Sequence, residues 1–358
     1  MRKIYLLFFI LFFHLNSFAT EIKYEIVVSD LEVPWAFVFL PDNSILITER
    51  KGELIHFKNG EKNIIKNLPK IISKNQGGLL DIELHPNFKK NGWVYIAYSS
   101  SNDNNDGVNT SVMRFQIENL RAVKKELIYK AIPNSKRSIH FGSRIIFDRE
   151  NYLFFSIGDR GNRDLNPQDI TRDGGKIYRL HDDGRIPVDN PFVDETKSKK
   201  GIYSFGHRNP QGMVYDKENN KIWIHEHGPR GGDEINIIKA GENYGWPLAS
   251  YGINYIGTKF TDKKSISGMQ DPIHYWVPSI APSGMIMVKD SKYKSLSNSI
   301  LIGSLKFQYL HQCKIENNRV IEEKKLLTDI GRVRSIETDS QNNIYIGVEN
   351  LGILKLIH

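Results

Sequence analysis

The chain has 358 residues, 40% hydrophobic and 25% charged, with a formal net charge of +8. This composition excludes a disordered or collagen-like chain, and the scattered Lys, Asp and Glu, with no basic run interleaved with aromatics, give no reason to expect a nucleic-acid partner. Cys313 is the only cysteine, so an intramolecular disulfide and structural zinc with thiolate ligands are not expected, and Cys313 reads as a core residue or free thiol.

The N-terminus MRKIYLLFFILFFHLNSFAT has a basic start, an apolar run from Ile4 to Phe13 and a small-residue end at Ser17-Phe18-Ala19. It reads as a secretory signal peptide over 1–19, giving an exported, periplasmic mature chain over 20–358. The apolar run falls short of the ~20 residues that span a bilayer, so no membrane span is expected in the mature protein. An uncleaved anchor is the alternative.

Beyond residue 20 no long helical period occurs. A polar turn followed by an alternating strand recurs instead: DNSILITE, NGWVYIAYS, ENYLFFSIGD, NNKIWIHEHG, SNSILIGSL and QNNIYIGVEN. Each is followed by a returning strand: GELIHF, SVMRFQIE, GKIYRLHDDG, DEINIIKAG, QYLHQCKIENN and GILKLIH. These phrases predict an all-β, six-bladed β-propeller with uneven insertions on one rim, the longest over 182–206 and 246–279. That architecture serves enzymes, receptors and scaffolds alike, so chemistry must come from particular residues.

In SIHFGSRIIFD, His140 stands ahead of a Gly-Ser turn at a strand entrance; in SIGDRGNRD, Asp159 stands at the exit of the next strand. A carboxylate on one imidazole nitrogen fixes the tautomer and raises basicity, the arrangement of a general base and its orienting partner. A structural histidine beside a turn-capping aspartate fits the same pattern equally well. In GHRNPQG, Arg208 and Asn209 offer a cation and an amide side by side, with Pro210 holding Asn209 extended. They suit an oxygen-rich planar group, or the carbonyls of a blade-to-blade turn. The Gly-Pro turn of HEHGPRGGDEIN aims backbone carbonyls inward, which suits calcium. Arg332 and Arg334 alternate on one strand face.

Taken in order, NQGGLLDIELHPNF, HFGSRIIFD, SIGDRGNRD, GRIPVDNPF, GHRNPQG, HGPRGGDEIN, NYGWP, PSIAPSG, SLK and GRVR resemble the soluble quinoprotein sugar dehydrogenases of the glucose and sorbosone dehydrogenase superfamily, especially the aldose sugar dehydrogenase branch. The resemblance runs from Leu31 to the C-terminus. It implies a propeller that binds pyrroloquinoline quinone with calcium and oxidises an aldose at C1 to the lactone. His140 matches the general base and Asp159 its partner. Gln76 matches a substrate-binding amide, Arg208 the cation at the quinone oxygen, and Asn209 the amide beside it. Lys306, Arg332 and Arg334 match the clamp on the cofactor carboxylates, and the carbonyls of Gly228 and Pro229 match calcium ligands. No c-type haem signature occurs, so an external electron acceptor is implied.

The chain departs from the glucose-oxidising members at Ile139, where they carry an acid, at His274 and Val277, where they carry aromatics, and at Asp164, where a glutamine shapes the sugar pocket. The substrate implied is therefore aldose sugars broadly. The other readings are a binding propeller like the hedgehog-interacting proteins and a calcium-dependent sugar lactonase.

Overall fold

Strands whose every residue is apolar or small can be buried only if both faces of their sheet are covered. LFFSI and IYIGV are of this kind, and all their residues are buried; ILITE is buried throughout as well, its Glu49 included. The computed structural model describes residues 22–102, 106–289 and 292–357. The leader expected over 1–19 lies outside the described residues.

The first strand, β1 (Lys23–Ser29), precedes five four-stranded sheets that follow in chain order. The first contains β2 (Pro34–Phe39), β3 (Ile45–Glu49), β4 (Glu53–Lys58) and β5 (Glu61–Ile64), and the second β6 (Leu79–Leu84), β7 (Val94–Ser101), β8 (Val108–Glu118) and β9 (Arg121–Lys130). The third contains β10 (Ile145–Phe147), β11 (Leu153–Ile157), β12 (Lys176–Leu180) and β13 (Ile202–Phe205), and the fourth β14 (Pro210–Asp216), β15 (Lys221–Glu226), β16 (Asp233–Ile238) and β17 (His274–Trp276). The fifth contains β18 (Pro282–Val288), β19 (Ser299–Ser304), β20 (Tyr309–Glu316) and β21 (Arg319–Leu326).

The sixth sheet closes the ring. It holds β22 (Val333–Thr338), β23 (Ile344–Val348) and β24 (Gly352–Ile357), and its fourth strand is β1, antiparallel to β24 from Lys23↔Ile357 to Ser29↔Gly352. The two ends of the chain are thus joined by main-chain hydrogen bonds. The result is the six-bladed β-propeller expected from the repeats.

Six apolar clusters lie between neighbouring sheets, one at each junction. Each sheet is therefore a wall shared by two cores. The outer strands end this arrangement with charge: β21 (RVIEEKKL) is mostly exposed and β9 (RAVKKELIYK) is exposed over half its length. Lys and Glu on an edge strand discourage pairing with another chain. The first strands of the blades line the centre, and the loops around them gather the motif segments at one cavity.

Candidate active site

A cavity of about 610 Å³ opens among the blade-to-blade loops. Arg50, Arg230, Lys306, Arg332 and Arg334 line it, and no Asp or Glu does. Arg50 follows directly on β3, Arg332 and Arg334 bracket the start of β22, and Lys306 lies in the turn between β19 and β20. Four different loops or strand ends thus carry cations to one space, with Arg230 from the loop before β16. The side chains of Arg50 and Lys306 have no anionic partner among the described residues.

The strand spacing that puts Arg332 and Arg334 on one face also gives them a common partner. Arg332 Nε donates to Glu349 Oε2 at 2.6 Å, and Arg334 Nε donates to Oε1 at 2.9 Å. Arg332 also donates to the Leu305 carbonyl at 2.9 Å. Burial pulls Arg334 down to about 10, against the pull of Glu349, so it stays charged at neutral pH. One carboxylate therefore positions two guanidinium groups without matching the whole positive charge of the wall.

The cavity floor is held from beneath. Arg144 lies over the Trp35 ring at 4.1 Å, pairs with Asp81 at 3.0 Å and donates to the Gln211 carbonyl at 2.6 Å. Both Trp35 and Gln211 line the cavity. Cation–π contact and a buried ion pair fix the indole's plane.

His140 lies beside this space in the loop before β10, with φ of +52°, next to the lining residues Phe141 and Gly142. Its Nδ1 is 2.7 Å from Asp159 Oδ1, and Asp159 follows β11 as the turn pattern predicts. Asp159 Oδ1 also accepts the Gly161 N–H at 2.7 Å, while Oδ2 accepts the Trp246 indole N–H at 2.9 Å. Gly158 permits the approach of the two loops, because a Cβ there would run into the His140 carbonyl and the Asn209 side chain.

Burial lowers the pKa of His140, with the Arg208 charge acting in the same sense and Asp159 opposing both. Burial alone would raise Asp159, yet the His140 hydrogen bond and the nearby cations leave it below the ordinary carboxylate range. The imidazole is thus neutral at neutral pH, with Nδ1–H donated to a carboxylate and Nε2 left with a lone pair. None of the described hydrogen bonds uses Nε2.

Gln76 lines the cavity and accepts the His140 main-chain N–H at 2.7 Å. Arg208 and Asn209 occupy the crossing from β13 to β14. The Arg208 main-chain N–H and the His207 ring are both tied to Glu226, and its guanidinium donates to the His227 carbonyl at 2.9 Å. Asn209 lines the cavity with its Oδ1 accepting the Gly142 N–H at 3.1 Å. His227 also lines it, and burial pulls its pKa down to about 3, so it adds no charge.

Gly228 and Pro229 line the same cavity, and neither carbonyl accepts any described hydrogen bond. Asp233 shapes their turn. Its Oδ1 accepts the Gly228 N–H at 2.8 Å, while Oδ2 accepts Ser279 Oγ–H and the N–H groups of Ile280 and Ala281 at 2.7, 2.8 and 2.9 Å.

Asp164 stands apart from this group. Its side chain is 81% exposed and lines a neighbouring groove with Pro247, Leu248 and Phe260. Of the two long insertions expected to decorate the rim, 246–279 reaches the cavity through Tyr255 and Ser279, whereas 182–206 contributes no lining residue. His274 and Val277 do not line it either. Residues that the motif reading does not single out are Arg50, Arg230, Glu349, Trp246 and Arg144, although Arg230 lies within HGPRGGDEIN and Glu349 within QNNIYIGVEN. Trp246 belongs to NYGWP and Arg144 to HFGSRIIFD, but their partners are 87 and 63 positions away, which no local pattern reveals.

A six-bladed propeller with a cation-walled cavity and a carboxylate-held histidine at its edge is the architecture of a quinoprotein sugar dehydrogenase. The chain belongs to the glucose/sorbosone dehydrogenase family, whose sequence model matches residues 31–355. It is 37% identical over 332 residues to the aldose sugar dehydrogenase YliI of Escherichia coli K12, covering 91% of this chain and 89% of that one. It superimposes with a TM-score of 0.90 and 36% identity on the apo crystal structure of the soluble aldose sugar dehydrogenase of Escherichia coli, over 94% of this chain and 99% of the other. A PQQ-bound aldose sugar dehydrogenase from Streptomyces coelicolor matches with a TM-score of 0.79 and 25% identity, over 94% and 97%. Among the described residues no helix is long and apolar enough to cross a membrane.

Proposed function

We propose that this protein is a pyrroloquinoline quinone- and calcium-dependent dehydrogenase that oxidises aldose sugars at C1 to lactones and passes the electrons to an external acceptor. The observation that carries the reading is a cavity walled by five cations and no carboxylate, with the neutral His140 and its Asp159 partner at its edge. Such a wall fits a flat polyanion such as a tricarboxylate quinone.

Arg50, Lys306, Arg332 and Arg334 would hold the cofactor carboxylates, with Arg208 and Asn209 supplying a cation and an amide from the β13–β14 crossing. The free carbonyls of Gly228 and Pro229 are hard oxygen donors of the kind calcium takes. When bound, the quinone supplies the hydride acceptor and calcium a Lewis acid that strengthens it.

The chain's own part is proton transfer and placement. His140 Nε2 accepts the proton of the anomeric hydroxyl as the C1 hydride departs, and the sugar is left as the lactone. Asp159 keeps the proton on Nδ1 before the reaction and stabilises the imidazolium formed by it. Gln76, fixed by the His140 main chain, orients the hydroxyl. Arg208 stabilises negative charge developing nearby, its guanidinium held by the His227 carbonyl. Asp164, outside the cavity, has no part in these steps. The leader over 1–19 places the reaction in an exported, periplasmic protein.

The test is reconstitution. The mature protein, purified without cofactor, is titrated with the quinone and calcium while reduction of an artificial dye is followed with a panel of aldoses. Activity that needs both additions is the expected result; failure of the quinone to bind removes the reading.

A further inference from the structure

One cluster of ligand-type side chains plays no part in the cavity. It lies where β17 of the fourth sheet meets β20 and β21 of the fifth. His311 and Cys313 stand two apart on β20 and so share a face, while Glu323 is the register partner of Cys313 on β21. A ring nitrogen of His311, the Cys313 sulfur and a Glu323 carboxylate oxygen lie within 4.8 Å of one another. From the adjacent sheet, His274 Nε2 stands 3.3 Å from Glu323 Oε1, and Trp276 donates its indole N–H to Oε2 at 2.6 Å. His311 Nε2 is 2.6 Å from the same Oε2.

His311 is 4% exposed, and His274 Nε2 meets the carboxylate as an ion-pair contact without hydrogen-bond geometry. Donors this close together can hold an ion, and their chemistry narrows which. Two imidazoles, a carboxylate and a thiol suit a borderline transition metal, whereas calcium takes oxygen ligands.

We infer that His311, Cys313 and Glu323 form a binding site for one divalent metal ion of the zinc class, with His274, 3.3 Å from Glu323 but outside that close group, drawn in as fourth ligand. Neighbouring ligand atoms around tetrahedral zinc are about 3.3–3.8 Å apart, as its bond lengths require. The His274 to Glu323 separation already lies in that range, and the His311 to Glu323 contact opens as the metal replaces their hydrogen bond. Metal–sulfur, metal–nitrogen and metal–oxygen bonds form, the Cys313 thiol proton leaves to solvent, and no redox partner is needed. Trp276 orients the carboxylate in the manner of outer-shell donors at metal sites. Glu323, with its side chain 35% exposed, is the entry from solvent. The low cysteine count argued against thiolate-held zinc, but a single thiolate completes a set whose other members are two histidines and a glutamate. The ion would join β17 to β20, which begins just after the cavity-lining Leu305–Gln308 turn, and this role is independent of the redox reaction.

The test is a cobalt(II) titration of the chelator-treated mature chain in excess calcium, followed by displacement with zinc. The expected result is one equivalent of cobalt bound, with a thiolate-to-cobalt charge-transfer band, displacement by zinc and a zinc-dependent rise in the unfolding midpoint. Cys313→Ser is expected to lose the band, and His311→Gln and His274→Gln to weaken binding by at least about tenfold. Circular dichroism of the metal-free variants identifies any that fails to fold, and His274→Gln, at the more accessible edge, then decides. No stoichiometric binding, a cobalt spectrum without the thiolate band, or undiminished affinity in the folded histidine variants overturns the site.

Discussion

Trp246 and His140 bind opposite oxygens of one carboxylate: the indole N–H reaches Asp159 Oδ2 at 2.9 Å and the imidazole Nδ1 reaches Oδ1 at 2.7 Å. The carboxylate cannot rotate without breaking one of them, so the plane of His140 is set by a tryptophan in the fourth blade's long insertion. His140→Ala removes the proposed base and is expected to lower kcat by roughly 10²- to 10⁴-fold while leaving quinone reconstitution near normal. Near-normal turnover in that variant would remove His140 from the mechanism.

The same geometry fixes a pH dependence. The base must be neutral to act, and burial holds the His140 pKa below its ordinary value of about 6.5. Activity is therefore expected to persist as pH falls through 6.5 and to be lost only below it. In Asp159→Asn the influence that raises the imidazole pKa is gone, so the acid limb moves lower still, while the maximal rate drops by roughly 10²- to 10⁴-fold from the wrong tautomer. A pH–rate profile of both proteins checks this; an acid limb that moves upward in the variant contradicts it.

The cationic wall predicts a separation between binding and turnover. Arg332→Ala is the cleaner probe, since its side chain is 44% exposed and Glu349 keeps Arg334 as a partner. Loss of one charge-assisted contact of about 1.5–3 kcal/mol is expected to weaken quinone binding by roughly 10- to 100-fold. Raising the salt concentration is expected to weaken wild-type binding more than the variant's. Equal salt dependence in the two would place Arg332 outside the cofactor's reach.

Much of this was legible in the sequence because the relevant signals are local. The paired turn-strand phrases recovered the middle strands of every blade, since burial on both faces forces β-branched and aromatic residues into short runs. The innermost strands were less visible: PQGMVYD and PSGMIMV carry glycine and proline where the backbone passes close to a neighbour. The closure of the ring by β1 on β24 joins the two ends of the chain and leaves no local trace. At the site, motif segments located His140, Asp159, Asn209 and the Arg332–Arg334 pair, each set by a turn or a strand period. Arg50 and Glu349 stand just past ordinary strands; the ring brings Arg50 to the cavity, and the β22–β23 pairing brings Glu349 to the two arginines.

Lys176 supplies a prediction about the loop that carries Asp159. Its buried Nζ donates to the carbonyls of Asn166, Pro167 and Gly174 at 2.6, 3.1 and 2.6 Å, and Asn166 Nδ2 in turn donates to the Asp159 carbonyl at 2.9 Å. Burial pulls the ammonium down to about 7, whereas three carbonyl acceptors favour the charged form. Lys176→Met leaves those carbonyls without a donor and is expected to cost about 3 kcal/mol, at about 1 kcal/mol for each. Denaturant unfolding measures it. An unchanged midpoint would mean that water takes over all three carbonyls and that the loop does not depend on the lysine.

Gly228→Ala tests the carbonyl donors while keeping every charge. A Cβ at Gly228 would collide with the carbonyls of Gly231 and Gly232, so the turn must open and the Gly228 and Pro229 oxygens must move. Asp233 would then lose the Gly228 N–H, one of the donors that hold its buried carboxylate against a pKa that burial already raises. Calcium affinity, read by isothermal titration of the full mature chain with quinone present, is expected to fall by at least about tenfold, since hard cations depend on the number and placement of oxygen ligands. The cations proposed to hold the quinone are untouched, so quinone binding measured without calcium is expected to change much less. Calcium affinity equal to that of the wild type would show that the ion takes its ligands elsewhere in the cavity.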